Sequence, residues 1–207
     1  MSRFVTKLKL LVFKLSPHLA LTLGLEFPLK SENRLFLENQ IFDLLNTRFK
    51  QQPKRARCLF LGTDKRSWHY PKCLDAELHT MDIEPKKAIY GNRGHHTIGS
   101  AGELLQHYAP RSFDAIIANG LIGFGMNQLE DCEALLAGTH ALLKENGLLV
   151  LGYNDGAEFV NFKVRDSKNY KLFEEFVPNH QTLNRCQYEF GDHTFVFLKP
   201  IYLKSTQ

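Results

Sequence analysis

The sequence predicts an α/β fold, a doubly wound, mostly parallel seven-stranded sheet that ends in an antiparallel hairpin and is preceded by N-terminal helices. Three observations carry that expectation. The runs AIIA at 115–118 and LLVL at 148–151 are apolar without alternation, as strands buried on both faces must be. An Ala/Leu-rich amphipathic stretch lies between them, and CLFLG at 58–62 with LHTMDIEP at 78–85 repeats the strand–crossover–strand pattern upstream. Near the end, Cys186, Tyr188 and Phe190 alternate with polar residues, Gly191–Asp192 turns the chain and TFVFL returns, which is a hairpin signature.

The elements follow in order. Residues 1–53 form a helical extension and 54–207 the sheet domain. In the first segment Phe4, Leu8, Leu11, Val12 and Leu15 share one helical face, and Arg3, Lys7 and Lys14 share another. Lys9 and Lys14 interrupt any signal-peptide core, and no run reaches transmembrane length. Two readings stand: a peripheral helix on anionic lipid, or a helix packed on the domain or on a sister subunit of a homodimer. A second helix is expected over Glu32–Phe49, capped by Ser31, with Ile41, Phe42, Leu45 and Phe49 as its stripe and Pro53 beyond it.

The expected strands are Cys58–Leu61 turning at Gly62, Leu78–Met81 ending at Asp82, a short third around Thr97–Ile98, Ala115–Ala118 and Leu148–Leu151. A helical stretch is expected between the first two. Another helix covers Leu129–Leu143 and stops at Asn146–Gly147, glycine being the usual residue past a helix end. A loop at 154–167 leads to a short helix carrying Leu172, Phe173 and Phe176.

A net charge of +4 is modest and argues only weakly for a nucleic-acid partner. Cys58, Cys73, Cys132 and Cys186 are widely spaced without a CxxC pair, so they read as reduced thiols of a cytoplasmic protein and not as a zinc site. His95–His96 reads as a surface loop, since adjacent side chains diverge. No metal is expected.

A parallel strand that turns at a glycine, beside one that ends in a carboxylate, is a nucleoside-binding layout. Asp82 lies twenty residues beyond Gly62, a spacing at which a carboxylate reaches a ribose diol. Asp82 could instead cap the helix ahead of which Pro85 stands.

Together CLFLGTD, LHTMDIEP, FDAIIANG and LLKENGLLVLGYN resemble the class I S-adenosylmethionine (SAM)-dependent methyltransferases over roughly residues 56–199. The resemblance implies a SAM-binding Rossmann-like domain and methyl transfer to a small-molecule or glycan-like acceptor, without nucleic acid. It places Gly62, Thr63, Asp64, Asp82, Ile83, Ser100, Ala101, Asn119 and Gly120 around the cofactor. The first loop departs from the family's glycine-rich string: one glycine remains and the leading acid is absent. Asp64 could supply the missing charge to the cofactor's ammonium. Otherwise the protein is a catalytically degenerate binding or assembly module.

A nicotinamide oxidoreductase would need a second glycine where Asp64 stands, because pyrophosphate must touch backbone there. Asn119-Gly120-Leu121-Ile122 lacks the paired prolines of base-methylating enzymes. Asn119 with Asn154–Asp155 only partly echoes the oxygen ligands of metal-dependent O-methyltransferases. Candidates for a general base are His69, Tyr153 and Asp155, with Tyr70 beside the first. Trp68 either walls the pocket or packs on the N-terminal helices.

Overall fold

A computed structural model describes residues 3–202 of the chain. Its centre is a single eight-stranded sheet in the order β3-β2-β1-β4-β5-β8-β6, with β7 also paired to β8. The parallel part comprises β1 (Arg57–Leu61), β2 (Glu77–Asp82), β3 (His96–Ile98), β4 (Phe113–Asn119) and β5 (Leu143–Tyr153). The antiparallel part comprises β6 (Phe173–Glu175), β7 (Gln187–Phe190) and β8 (His193–Pro200). The strand count exceeds the expected seven because two short strands share the outer edge of β8. β6 pairs its end from Leu198 to Pro200, and β7 pairs its start from His193 to Val196.

The unbroken apolar runs are explained by what lies on each face. Leu59, Leu61, Ile116, Ala118, Leu149 and Leu151 pack with Cys132, Leu135, Leu136 and Leu142 of helix α5 (Leu129–Leu142). The alternate positions Cys58, Phe60, Ala115, Ile117, Leu148 and Val150 pack against residues 36–49. Both faces of β1, β4 and β5 are therefore dry, and a polar residue on either would need a buried partner. Part of the expected helical extension thus shares the core of the sheet domain.

Helices α1 (Arg3–Leu15) and α2 (Pro17–Thr22) come first, and the helix expected over 32–49 is built in three pieces. α3 (Glu32–Phe36) and α4 (Phe42–Lys50) flank a π-helical stretch, Leu37–Ile41. The wider π turn brings residues five apart onto one line. Phe36 with Ile41, and Leu37 with Phe42, therefore all reach the sheet. Ser31 precedes this helix but its hydroxyl makes no cap bond.

Other expectations are corrected by the fold. No α-helix connects β1 to β2: Asp64 organises a turn, and Pro71, which has no N–H to give, sits in a 3-10 turn at Tyr70–Lys72. Helix α5 ends at Leu142 rather than at Asn146–Gly147, and the strand begins at once, with a register shift between Phe113 and Ala115 of its partner. Gly147 serves the resulting bulge, where a Cβ would stand 2.9 Å from the Lys144 carbonyl oxygen. Phe173 lies in β6, paired with Pro200, and not in a helix. His96 is not in a loop: it opens β3, and its Nδ1 lies 3.0 Å from the Thr80 hydroxyl. All four cysteines are unpaired, with Cys58 and Cys132 buried, and burial raises the Cys58 thiol pKa strongly.

Candidate active site

The carboxyl ends of β1, β2, β4 and β5 open into a cavity of about 570 Å³. Gly62 directly follows β1 with φ +83°, a left-handed conformation that costs glycine little and other residues much. Its absent side chain also leaves room, since a Cβ there would stand 3.1 Å from Leu121. This is a cradle in which backbone can meet a ligand.

Asp82, at the end of β2, is 6% exposed and binds the neighbouring loop. One carboxylate oxygen accepts the Thr63 amide at 2.7 Å and faces Lys87 Nζ at 3.6 Å. The other accepts the Glu84 amide at 2.9 Å. The carboxylate has about four lone-pair sites, so each oxygen keeps acceptor capacity toward the cavity. Lys87 is shared with Glu84 at 2.8 Å, and these carboxylates raise its pKa, the Glu84 hydrogen bond most.

Asp64 shapes its own loop. Its Oδ1 accepts the amides of Arg66 and Ser67 at 2.8 and 3.2 Å, and its Oδ2 stands 3.7 Å from the Arg66 guanidinium. The turn keeps the carboxylate at the cavity wall. Ile83, 67% exposed, presents an apolar side chain beside Asp82, and Ser100 and Ala101 follow β3 on the same side. Asn119 and Gly120 complete the set at the end of β4. All nine residues expected around a cofactor line this one cavity.

The three candidate bases do not. Tyr153 is 3% exposed within the cluster under α5, because it follows Leu149 and Leu151 on the same face of β5. Burial there raises its phenol pKa well above the ordinary value. Asp155 accepts the Val164 amide at 3.1 Å, pairs with Lys163 at 3.5 Å and lines a separate cavity of about 460 Å³. His69 is buried edge-on to Tyr70 at 5.0 Å, and burial lowers its pKa. Trp68 packs on the N-terminal helix, its ring 4.6 Å from that of Phe13.

Two residues that sequence reasoning left out of the cofactor and base sets form the floor. His193, the first residue of β8, has its Nδ1 2.7 Å from Asn154 Oδ1 and its Nε2 3.0 Å from Asn119 Oδ1. A neutral imidazole offers one N–H and one lone pair, so one asparagine must turn its amide nitrogen toward the ring. Burial, aided by the nearby Arg34 charge, pushes the His193 pKa down to about 4. The ring is therefore neutral at physiological pH. Asn154 was visible beside Asp155, but its partner lies 39 residues away and no local pattern links them.

This cluster depends on Gly152. A Cβ there would sit 2.2 Å from Asn119 Oδ1, 2.8 Å from the Phe195 ring and 2.9 Å from His193 Nε2. Gly152→Ala is expected to destabilise the chain by about 1–3 kcal/mol through overpacking. Calorimetry should show the thermal midpoint falling by about 2–4 °C per kcal/mol for a chain of this size.

On the roof, Arg34 and Asn33 come from α3. Arg34 donates to the Tyr70 hydroxyl, which donates to Glu38 at 3.0 Å. Far from the cavity, at the amino end of β2, ligand atoms of Glu77, His79 and His95 lie within 4.8 Å of one another. Arg57 already reaches Glu77 at 3.1 Å and His79 at 3.1 Å, so a fixed cation takes the place a metal would need.

The sequence matches no protein-family model and no curated protein. Solved structures do match its fold. A TehB-like SAM-dependent methyltransferase from Corynebacterium glutamicum superposes with a TM-score of 0.55 at 17% identity, over 82% of this chain and 93% of that one. The N-methyltransferase NodS from Bradyrhizobium japonicum, in complex with S-adenosylhomocysteine, gives 0.58 at 12% identity, over 83% and 89%. The fibrillarin pre-rRNA processing protein of Methanococcus jannaschii gives 0.50 at 14% identity, over 70% and 66%. The chain thus has the Rossmann-like fold of the class I SAM-dependent methyltransferases. With a pre-rRNA processing protein among its counterparts, that fold lends no support to the expected exclusion of nucleic acid.

Proposed function

We propose that this protein binds SAM in the 570 Å³ cavity and directs methyl transfer to a small acceptor. The observation that carries this reading is Asp82: a buried carboxylate at the end of β2, tied to the glycine turn of β1 and retaining acceptor capacity toward the cavity. The cofactor, when bound, supplies a methyl group activated on a sulfonium. The chain supplies the rest. Asp82 accepts the ribose hydroxyls, and Ile83, Ser100 and Ala101 flank the base. The Gly62–Asp64 turn receives the amino-acid end, with Asp64 as the carboxylate for its ammonium.

Asn33, Arg34, Asn119, Asn154 and His193 then form the acceptor side, with Phe124 and Met126 excluding water from the mouth. In-line displacement at carbon needs alignment above all, and a base only where the acceptor is poorly ionised. A His193 with a pKa of about 4 is too weak a base to serve, so its role is to orient Asn119 and Asn154. A small acceptor is favoured over a polynucleotide by the lining itself, where Arg34, Arg66 and Lys87 face Asp64, Asp82 and Glu84 with no surplus of cations. A nicotinamide cofactor is disfavoured because Asp64 consumes the Arg66 and Ser67 amides that would meet a pyrophosphate. No described helix is long and apolar enough to cross a membrane. The four unpaired thiols suit a reducing compartment such as the cytoplasm.

Calorimetric titration with S-adenosylhomocysteine, SAM and NADH tests the reading. Saturable binding of the first two and none of the third is expected. Folded protein that binds neither SAM compound would refute it.

A further inference from the structure

Helix α1 is apolar on two opposite faces. Its inner face seats Phe13, fully buried, with ring centroids 6.2 Å from Phe27, 4.6 Å from Trp68 and 5.2 Å from Tyr90. Its outer face carries Phe4, Leu8, Leu11 and Leu15 at helical spacing, and these are 74%, 52%, 53% and 77% exposed. Single exposed leucines are ordinary, but a contiguous stripe of four large apolar side chains is not. Packing of α1 on the domain accounts for the Phe13 face, and no described residue covers the outer one.

Charge indicates what covers it. Residues 1–25 contain Arg3, Lys7, Lys9 and Lys14 and no aspartate or glutamate. Lys9 is held by the Glu26 carbonyl at 3.0 Å. Lys7 and Lys14 are exposed and, one helical position before Leu8 and Leu15, border the stripe on one side. A second copy of this helix would bring the same unopposed cations into the contact. An anionic bilayer brings counter-charge along its headgroups and an apolar layer beneath them.

We propose that the outer face of α1 docks on an anionic phospholipid surface. Phe4, Leu8, Leu11 and Leu15 enter the boundary between headgroups and acyl chains, and Lys7 and Lys14 meet the phosphates. The inner face ties this anchor to the cavity. Trp68 directly follows Ser67, and Tyr90 ends the 3-10 segment Pro85–Tyr90 that carries Lys87; Ser67 and Lys87 both line the cavity. Asp64, another lining residue, is close enough to raise the Tyr90 pKa further, after burial has raised it.

Sedimentation of the full chain with phosphatidylcholine vesicles, with and without phosphatidylglycerol, tests the proposal. Binding is expected only with phosphatidylglycerol present, and it should weaken as salt screens the lysines. It should fall at least tenfold in Leu8→Ser/Leu15→Ser and, separately, in Lys7→Glu/Lys14→Glu. All four positions are exposed, so circular dichroism should show the fold retained. Folded wild-type protein that sediments with neither vesicle would overturn the proposal, as would binding that either double variant leaves unchanged or that needs no anionic lipid. Dimers seen by light scattering, lost in Leu8→Ser/Leu15→Ser and formed without vesicle binding, would assign the stripe to a second copy instead.

Discussion

Replacing Asp82 by alanine is expected to weaken S-adenosylhomocysteine binding by about 100-fold or more. The proposed contact is a pair of charge-assisted hydrogen bonds to a ribose diol, each contributing about 1.5–3 kcal/mol, and every 1.4 kcal/mol is about tenfold in affinity. The variant also removes the acceptor for the Thr63 and Glu84 amides, which Asp82 holds at 2.7 and 2.9 Å. The glycine turn and the β2 exit then lose their common tie, so part of the loss will come from a cradle that is no longer preorganised. Asp82→Asn separates the two contributions. It keeps one acceptor oxygen for the loop amides but gives up the charge and half the acceptor capacity, and should fall between wild type and alanine. Titration calorimetry below the variants' unfolding temperature reads the affinities. Wild-type affinity in a folded Asp82→Ala protein would remove Asp82 from the site.

The same residue shows why the residues proposed to hold the cofactor could be placed around one cavity from the sequence. A glycine at the end of one buried strand and an acid at the end of the next are local signals, and the parallel register of β1 with β2 sets their loops side by side. The unalternating runs likewise announced strands covered on both faces. What the sequence hid was decided by contacts between distant residues. Phe173 belongs to β6 because Pro200 pairs with it, and no periodicity within three residues can show that. The floor of the cavity joins Asn119, Asn154 and His193, which meet only when β8 inserts next to β5.

Tyr153 illustrates a different limit. It stands one residue from Gly152, yet side chains alternate along a strand, so it falls under α5 while its neighbour leaves room for the Asn119–His193 contact. A tyrosine at a strand end was visible in the sequence; its face was not. The polar cluster at Trp68, His69 and Tyr70 shows the same limit, because Pro71 replaces the expected helix with a 3-10 turn that carries these side chains toward the N-terminal helices.

His193 leads to the second large effect. Lowering the pH from about 7 to about 4.5 is expected to destabilise the chain, with His193 contributing up to about 3 kcal/mol when its titration is complete. The sign follows from its pKa, which burial first and the Arg34 charge second push down to about 4 from the unfolded value of 6.5. Above pH 6.5 both states hold the ring neutral and the group adds no pH dependence. Between that value and about 4 the unfolded chain binds a proton that the native chain refuses, so stability falls by about 1.4 kcal/mol per pH unit. His69, His79 and His96 have pKa values lowered by burial and push in the same direction. Urea unfolding across this range should therefore give a slope that drops by close to one proton in His193→Gln, whose side chain can still donate and accept but does not titrate. An unchanged slope would show that the ring is not held neutral. The neutral ring also suits the proposed chemistry. A sulfonium is a cation, and a buried imidazolium against Asn119 would repel it. The burial that costs the fold its acid tolerance thus keeps this floor uncharged, as the proposed cationic cofactor requires.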